Sequence, residues 1–144
     1  IVDTKNKAIG LSHSGWRGTV GKIGKVTIEK MGELYGTKPE DIVACIGPSI
    51  CQKCYEISEE VAVQFKEAFP DNIKEILIDK GNGKYQLDLW ECNRINFKEA
   101  GVLPENIKVT DICINGTIEL KIFGRCLQIC TNIVKSSDKG EKYE

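Results

Sequence analysis

Residues 12–19, Ser12-His13-Ser14-Gly15-Trp16-Arg17-Gly18-Thr19, place a histidine, an arginine, a tryptophan and two glycines in one short stretch. The preceding residues 8–11 are mostly apolar and indicate the end of a strand, whereas the residues that follow have helical spacing. The stretch is therefore predicted to lie where a strand passes into a helix. At such a place, free backbone N–H groups and the positive end of the helix dipole favour an anion.

Two side chains of this stretch are suited to chemistry. His13, the only histidine of the sequence, is suited to act as a metal ligand or as an acid–base group near neutral pH. Arg17 offers a permanently charged planar fork for phosphate or carboxylate, and the glycines let a ligand approach the backbone closely. The alternative is a tight structural corner with Trp16 in the core and Arg17 in solvent. Local physics alone leaves both interpretations open.

Composition indicates a single globular domain. The 144 residues are 41% hydrophobic and 28% charged, which is enough to bury a core. The net charge of −1 argues against a nucleic-acid partner. No apolar run approaches the roughly 20 residues that span a bilayer, so no membrane partner is expected. No signal peptide is present and the sequence starts with Ile1 rather than Met, so we expect an upstream portion to be missing.

The seven cysteines are odd in number and lack a secretory signal, which predicts mostly free thiols and a cytoplasmic location. Cys51-x-x-Cys54 is typical of a redox pair or of half a zinc site. However, residues 55–57 separate the pair from the next predicted helix. Cys126 and Cys130 are spaced too widely for the second pair of a zinc ribbon. A structural or incidental role for Cys51 and Cys54 is therefore favoured.

Periodicity and turn signals predict alternating strands and helices. Strands are expected at residues 1–3, 8–12, 42–46, 75–79, 84–87 and 107–112, and helices at 19–36, 58–68 and 88–100. Three residues are predicted to cap these helices, namely Thr19, Ser58 and Asp88, and Gly81-Asn82-Gly83 predicts a hairpin. This order predicts an α+β fold, a mixed sheet with packed helices. Residues 118–122 and 127–134 are apolar without a clear period, and residues 136–144 are expected to be frayed.

Further chemical motifs are weak. The sequence has no Gly-x-Ser-x-Gly elbow, Walker loop or dinucleotide fingerprint. Asp88 and Glu91 have the spacing of a catalytic pair, but a capping box explains both. Trp90 is expected in the core and Arg94 in solvent. Glycines at 21, 24 and 32 weaken the predicted helix by about 1 kcal/mol each relative to alanine, and often mark close packing.

Four segments together resemble the laccase-domain family, whose members were first called multicopper polyphenol oxidases and are now described as purine nucleoside phosphorylases. They are residues 13–19, 46–50 with 54–57, 88–94 and 100–102. The resemblance covers roughly residues 1–113. It implies a cysteine-hydrolase-like α+β fold, incomplete at its N-terminus, in which residues 1–144 form one laccase-type domain and residues 114–144 a divergent tail.

The resemblance also implies an activity. Family members are expected to split adenosine, inosine and S-methyl-5′-thioadenosine with phosphate into base and pentose 1-phosphate, and to deaminate adenosine as a side activity. Phosphorolysis needs a cationic pocket rich in N–H groups, which suits Arg17 at a helix start. His13 and Arg17 are therefore the expected catalytic residues. Arg17, Gly18 and Glu56 are expected to bind substrate, although Glu56 alone is equally typical of a surface acid.

A zinc or copper ion held by two histidines and one cysteine is implied in the same way. Only His13 maps onto this sequence, since the other histidine and the cysteine, in an Ala-Asp-Cys-x-Pro stretch, lie upstream of Ile1. A catalytic zinc needs three protein ligands and an open position, so we expect this chain alone to be weakly active or inactive. Purine nucleoside and phosphate are the expected partners, and the protein is expected to be a monomer or a weak homodimer.

Two alternatives remain. A copper-dependent polyphenol oxidase would need many histidines for several coppers, and this sequence has one. A non-catalytic nucleoside-binding remnant would keep Arg17 and Glu56 without a working metal site.

Overall fold

The structure, a computed structural model, describes residues 1–115. The helices in this part are α1 Trp16–Val20, α2 Ile23–Tyr35, α3 Glu59–Ala68, α4 Ile73–Ile76 and α5 Leu89–Glu99. The strands are β1 Val2–Asp3, β2 Ala8–Ile9, β3 Ile42–Ile46, β4 Glu56–Ser58, β5 Leu77–Gly81, β6 Lys84–Leu87 and β7 Ile107–Val109. The predicted α+β fold is confirmed. The apolar segments 118–122 and 127–134, the tail 136–144 and both later cysteines lie outside the described residues.

The strands form two sheets. The first has the order β2-β1-β3-β7, in which β3 and β7 are parallel with Ala44 opposite Ile107, and the other pairs are antiparallel. The second, β4-β6-β5, is antiparallel throughout. Its hairpin turns at Asn82 and Gly83, both with positive φ (54° and 68°), as a tight two-residue hairpin requires. The predicted mixed sheet is therefore present, together with a separate antiparallel one.

Helix α5 joins two hydrophobic cores. Leu89, Cys92 and Ile95 belong to a core with α3 and the second sheet, whereas Phe97 belongs to a core with α2, β3 and β7. Its start follows the predicted cap, because Asp88 Oδ1 accepts a hydrogen bond from the Glu91 backbone N–H at 2.9 Å. No helix within residues 1–115 combines the length and apolar character needed to cross a bilayer.

The predicted helix over residues 19–36 is wrong, because the chain forms two helices there. Lys22 adopts a left-handed conformation with φ of 52° and separates α1 from α2. Thr19 is not a cap but lies fully buried inside α1. Close packing at a helix glycine is confirmed at Gly24, where an added Cβ would lie 2.9 Å from Phe97 Cε1.

Several other boundaries differ from expectation. Strands β2 and β7 are shorter than predicted, residues 75–76 belong to α4, and residues 56–58 form the unpredicted strand β4. Ser58 precedes α3 as expected but makes no side-chain capping bond. In a complete capping box, the Glu91 carboxylate would accept a hydrogen bond from the Asp88 backbone N–H. Here it pairs instead with Arg94 at 3.3 Å and Lys98 at 3.8 Å.

Asp3 is a fully buried carboxylate at the end of β1. It accepts hydrogen bonds from the backbone N–H groups of Asn6 and Lys5, each at 3.0 Å, and from Asn6 Nδ2 at 2.8 Å. These bonds, the Asn6 backbone N–H first among them, lower the pKa of Asp3 to about 2. Because this pKa lies below the unfolded value of about 3.9, ionised Asp3 stabilises the fold above about pH 4, and that contribution is lost as the pH falls toward 2.

Replacing Asp3 by Asn is therefore expected to lower the free energy of unfolding at pH 7, because an amide cannot accept the same set of bonds. The difference from wild type should shrink as the pH falls from about 4 to about 2. Urea unfolding at a series of pH values measures this, with the exposed Asp71→Asn as control. A difference that is constant across the whole pH range would contradict the assignment.

Candidate functional site

A cavity of about 430 Å³ opens between the N-terminal motif, the end of β3 and the start of α5. Residues 10–16 and 45–50 form most of its wall, and Tyr55, Trp90 and Asn93 complete the side next to α5. Its volume falls in the range of about 300–1,000 Å³ that is typical of small-molecule sites. The first five residues of the histidine–arginine motif, Ser12 to Trp16, therefore line this cavity.

The predicted site residues are not all brought to this cavity. His13 lines it and is exposed, and Trp16 lines it half-buried. Arg17 is exposed and lies outside the wall, but its guanidinium stacks 4.2 Å from the Trp16 ring centroid. Gly18 also lies outside the wall. Glu56 is exposed on β4, where its carboxylate lies 3.8 Å from Lys84 Nζ.

The glycines of the motif allow close packing around His13. A Cβ added at Gly15 would lie 3.2 Å from His13 Nε2. A Cβ added at Gly18 would lie 3.1 Å from the His13 carbonyl oxygen and 3.2 Å from Ile23 Cγ2. These glycines therefore fix the shape of the loop that carries His13.

A buried hydrogen-bond network attaches the motif to α5. The Ser14 hydroxyl donates to Asn93 Oδ1 at 2.6 Å, and Asn93 Nδ2 donates to Thr19 Oγ1 at 3.1 Å and to the Leu89 carbonyl at 2.8 Å. Asn96 Nδ2 donates to the Thr19 carbonyl at 2.9 Å. This network was not predicted from the sequence. The one sequence signal for it is the presence of two asparagines, Asn93 and Asn96, at core positions of a helix.

The helix that begins in the motif is shorter than expected. Helix α1 has five residues, and the longer α2 begins only at Ile23. The macrodipole effect is confined to the end of a helix and grows with aligned peptide units. The five-residue α1 therefore offers a weaker positive dipole than the predicted long helix would.

The metal centre implied at His13 is not completed by the described residues. No group of three histidine, cysteine or carboxylate side chains within residues 1–115 includes His13. A catalytic zinc site takes three protein ligands. Within residues 1–115, His13 is therefore a cavity side chain without the partners of a metal centre.

A second cluster lies beside the cavity wall. The sulfur atoms of Cys51, Cys54 and Cys113 all lie within 4.8 Å of one another. The backbone N–H of Cys51 donates to Cys113 Sγ at 3.4 Å. A structural or incidental role was favoured for the Cys51-x-x-Cys54 pair. That Cys113 joins the pair was not predicted, because nothing in the local sequence links it to them.

The thiols of this cluster differ in acidity. Hydrogen bonds from the backbone N–H groups of Cys51 and Asn115 lower the pKa of Cys113 to about 7. Hydrogen bonding to the thiols of Cys51 and Cys113 raises the pKa of Cys54. Elsewhere, burial raises the pKa of Cys92, which lies in the core away from the cluster.

The wall between the cluster and the cavity contains Trp90. This residue is half-buried at the cavity rather than fully in the core, and its indole N–H donates to Ser49 Oγ at 2.6 Å. The Ser49 backbone pairs in turn with the segment around Cys113, since Ser49 N–H donates to the Ile112 carbonyl at 3.1 Å and Ile114 N–H donates to the Ser49 carbonyl at 3.2 Å.

Comparison with known proteins gives consistent matches. The family model described as multi-copper polyphenol oxidoreductase laccase matches residues 1–119. A purine nucleoside phosphorylase from Bacteroides thetaiotaomicron is 39% identical over 113 residues, which are 78% of this chain and 42% of that protein. Adenosine deaminase RL5, from an unknown prokaryotic organism, is 40% identical over 114 residues, 78% of this chain and 43% of that protein.

Solved structures agree with these matches. The Bacillus licheniformis hypothetical protein YfiH has a TM-score of 0.73 at 28% identity, covering 78% of this chain and 42% of that chain. YlmD from Geobacillus stearothermophilus has a TM-score of 0.65 at 32% identity, covering 71% and 38%. The chain thus spans about two fifths of the length of the relatives it matches.

The network around Thr19 predicts a difference between two threonines. Thr19→Val is expected to cost about 1–3 kcal/mol of unfolding free energy, because it leaves buried groups of Ser14 and Asn93 with fewer partners. The matched control Thr27→Val removes only a bond to the carbonyl of Ile23 in the same helix, and should stay within about 0.5 kcal/mol. Urea denaturation of both variants measures this. Equal costs would show that the network does not stabilise the motif.

Proposed function

This chain belongs to the multi-copper polyphenol oxidoreductase laccase family, and on that premise we propose that it catalyses the phosphorolysis of purine nucleosides. The substrates in this proposal are adenosine, inosine and S-methyl-5′-thioadenosine, each split with phosphate into free base and pentose 1-phosphate. The name of the Bacteroides relative supports the reaction class. The proposed setting is the cytoplasm, in keeping with the free thiols of all five cysteines in the described residues.

One observation carries the proposal. An acid–base group and an aromatic ring line one cavity, since His13 and Trp16 form part of its wall, and the Arg17 guanidinium stacks on Trp16 from outside that wall. A purine base needs an apolar face to stack on, and phosphate needs a fixed cation. The site offers both beside one group that can transfer a proton.

In the proposed reaction, a phosphate oxygen forms a bond to C1′ of the pentose while the bond from C1′ to the purine nitrogen breaks. The electron pair of that bond leaves with the base. We assign Arg17 to hold and orient the phosphate. His13 is assigned to give a proton to the departing purine, which makes the base a better leaving group.

The cavity wall supports the binding step. Trp16 and Trp90 supply aromatic surface for the base, and the Ser49–Trp90 hydrogen bond fixes the second ring. Neither Gly18 nor Glu56 forms part of this wall, so Gly18 is assigned a packing role. Glu56 would contribute to substrate binding only from the exposed β4.

Adenosine deamination is the second candidate activity, favoured by the name of a relative that is 40% identical. It would exchange the purine amino group for oxygen from water and release ammonia without any need for phosphate. The family description instead mentions copper and polyphenols. Several coppers need many histidines, and the single histidine of this sequence disfavours that chemistry.

Because no group of three metal ligands forms around His13 within residues 1–115, the full 144-residue chain is expected to release hypoxanthine from inosine slowly, and only when phosphate is present, with ribose 1-phosphate formed in equal amount. Chromatography of base and sugar phosphate measures this, and adenosine in the same assay reports deamination through ammonia and inosine. Equal rates without phosphate would indicate a hydrolase. A nucleoside-dependent rise in melting temperature with no turnover would indicate a binding remnant.

Arg17→Gln is expected to raise the KM for phosphate by about ten- to a hundredfold, because a charged hydrogen bond contributes about 1.5–3 kcal/mol and about 1.4 kcal/mol is a factor of ten. Arg94→Gln is the matched control, since Arg94 pairs with Glu91 outside the main cavity wall. Steady-state kinetics with varied phosphate measure both variants. An unchanged phosphate KM in Arg17→Gln would refute the assignment.

A further inference from the structure

The Cys51–Cys54–Cys113 cluster is independent of the residues assigned to phosphorolysis. We propose that these three cysteines bind a Zn²⁺ ion, at a site separate from His13, and that the ion braces the wall of the cavity. Zn²⁺ favours thiolate ligands at about 2.3 Å in a tetrahedral arrangement, which places pairs of sulfurs about 3.8 Å apart. Since every sulfur pair already lies within 4.8 Å, a contraction of about 1 Å or less would close the site.

The backbone holds the three sulfurs together without an ion. Cys51 and Cys54 lie at the two ends of a short turn, in which the Cys54 backbone N–H donates to the Cys51 carbonyl at 3.1 Å. Two ligands separated by two residues are the usual spacing within one half of a structural zinc site. The third sulfur comes from the distant Cys113, which the pairing of Ser49 with residues 112 and 114 places alongside the turn.

The surroundings also fit a metal ligand set. The Cys51 N–H bond to Cys113 Sγ is the kind of outer hydrogen bond that orients and stabilises a ligating thiolate. Cys54 is exposed and the other two are half-buried, so an ion has a path from solvent. No fourth histidine, cysteine or carboxylate joins the group within residues 1–115, which leaves one position for water or another ligand.

The position of the site gives the ion its role. Ile50 and Tyr55 flank Cys51 and Cys54 in sequence, Ile114 follows Cys113, and all three of these neighbours line the cavity. An ion on the cysteines would therefore tie together two wall segments that are joined otherwise by the hydrogen bonds of Ser49 and by the Cys51 N–H bond to Cys113 Sγ. This is a structural role, and it holds whether or not the cavity carries out phosphorolysis.

The test uses the full 144-residue chain, purified under reducing conditions and without added metal. Elemental analysis is expected to find about one zinc per chain. Replacement of the zinc by Co²⁺ should give thiolate-to-metal charge-transfer absorption. Cys54→Ser is the first variant, because its exposed side chain can be changed with least harm to folding. It should weaken Zn²⁺ binding at least about a hundredfold, measured by competition with a chromogenic chelator.

Cys113→Ser is the second variant, and circular dichroism reports whether each variant is folded. Cys45→Ser is the matched control, since Cys45 is exposed but outside the cluster, and Cys126→Ser with Cys130→Ser controls for the two thiols beyond residue 115. Folded Cys54→Ser or Cys113→Ser that keeps full zinc affinity would overturn the proposal. So would copper in place of zinc, or a Cys51–Cys54 disulfide in the purified protein. Chelator should lower the melting temperature of wild type but not of Cys113→Ser.

Discussion

The hydrogen bonds that join Thr19 and Ser14 to Asn93 hold the histidine–arginine motif against helix α5. A buried amide that loses its partners is costly, so Asn93 restricts the loop to positions in which both hydroxyls remain within reach. Helix α5 itself contributes side chains to both hydrophobic cores. The position of the motif is therefore set by α5, the helix with the most buried residues in the described chain.

Contacts between distant parts of the chain, such as those of Thr19 with α5, also separate the elements that could be predicted from those that could not. The hairpin at residues 82–83 and the cap at Asp88 follow from residues close together in sequence, and both were predicted. The break between α1 and α2 was not. Helical spacing continues through residues 19–36, whereas the buried contacts of Thr19 come from α5, which lies far along the chain, and Lys22 then turns left-handed. The three-residue strand β4 gives too short a pattern to recognise without its partner β6.

In the candidate site, too, residues close in sequence could be predicted together and residues brought together by the fold could not. His13 was predicted as a site residue and lines the cavity, whereas Trp16, considered only as a core residue, lines it too. Cys113 could not be connected to Cys51, since only the pairing of Ser49 with residues 112–114 brings them together. The role of Gly18 likewise depends on the carbonyl of His13 and the side chain of Ile23, which become neighbours only when the chain turns after α1.

The parallel pairing of β3 with β7 has a consequence for how the chain acquires its structure. Ala44 pairs with Ile107, and everything from the cysteine turn to α5 lies between them along the chain. In the second sheet, the β5–β6 hairpin joins near neighbours, so its loop closes at a low entropic cost. The first sheet is complete only when β7 pairs with the distant β3. Such non-local contacts slow folding. During synthesis from the N-terminus, one side of the cavity can thus form only after the rest of the described chain has emerged.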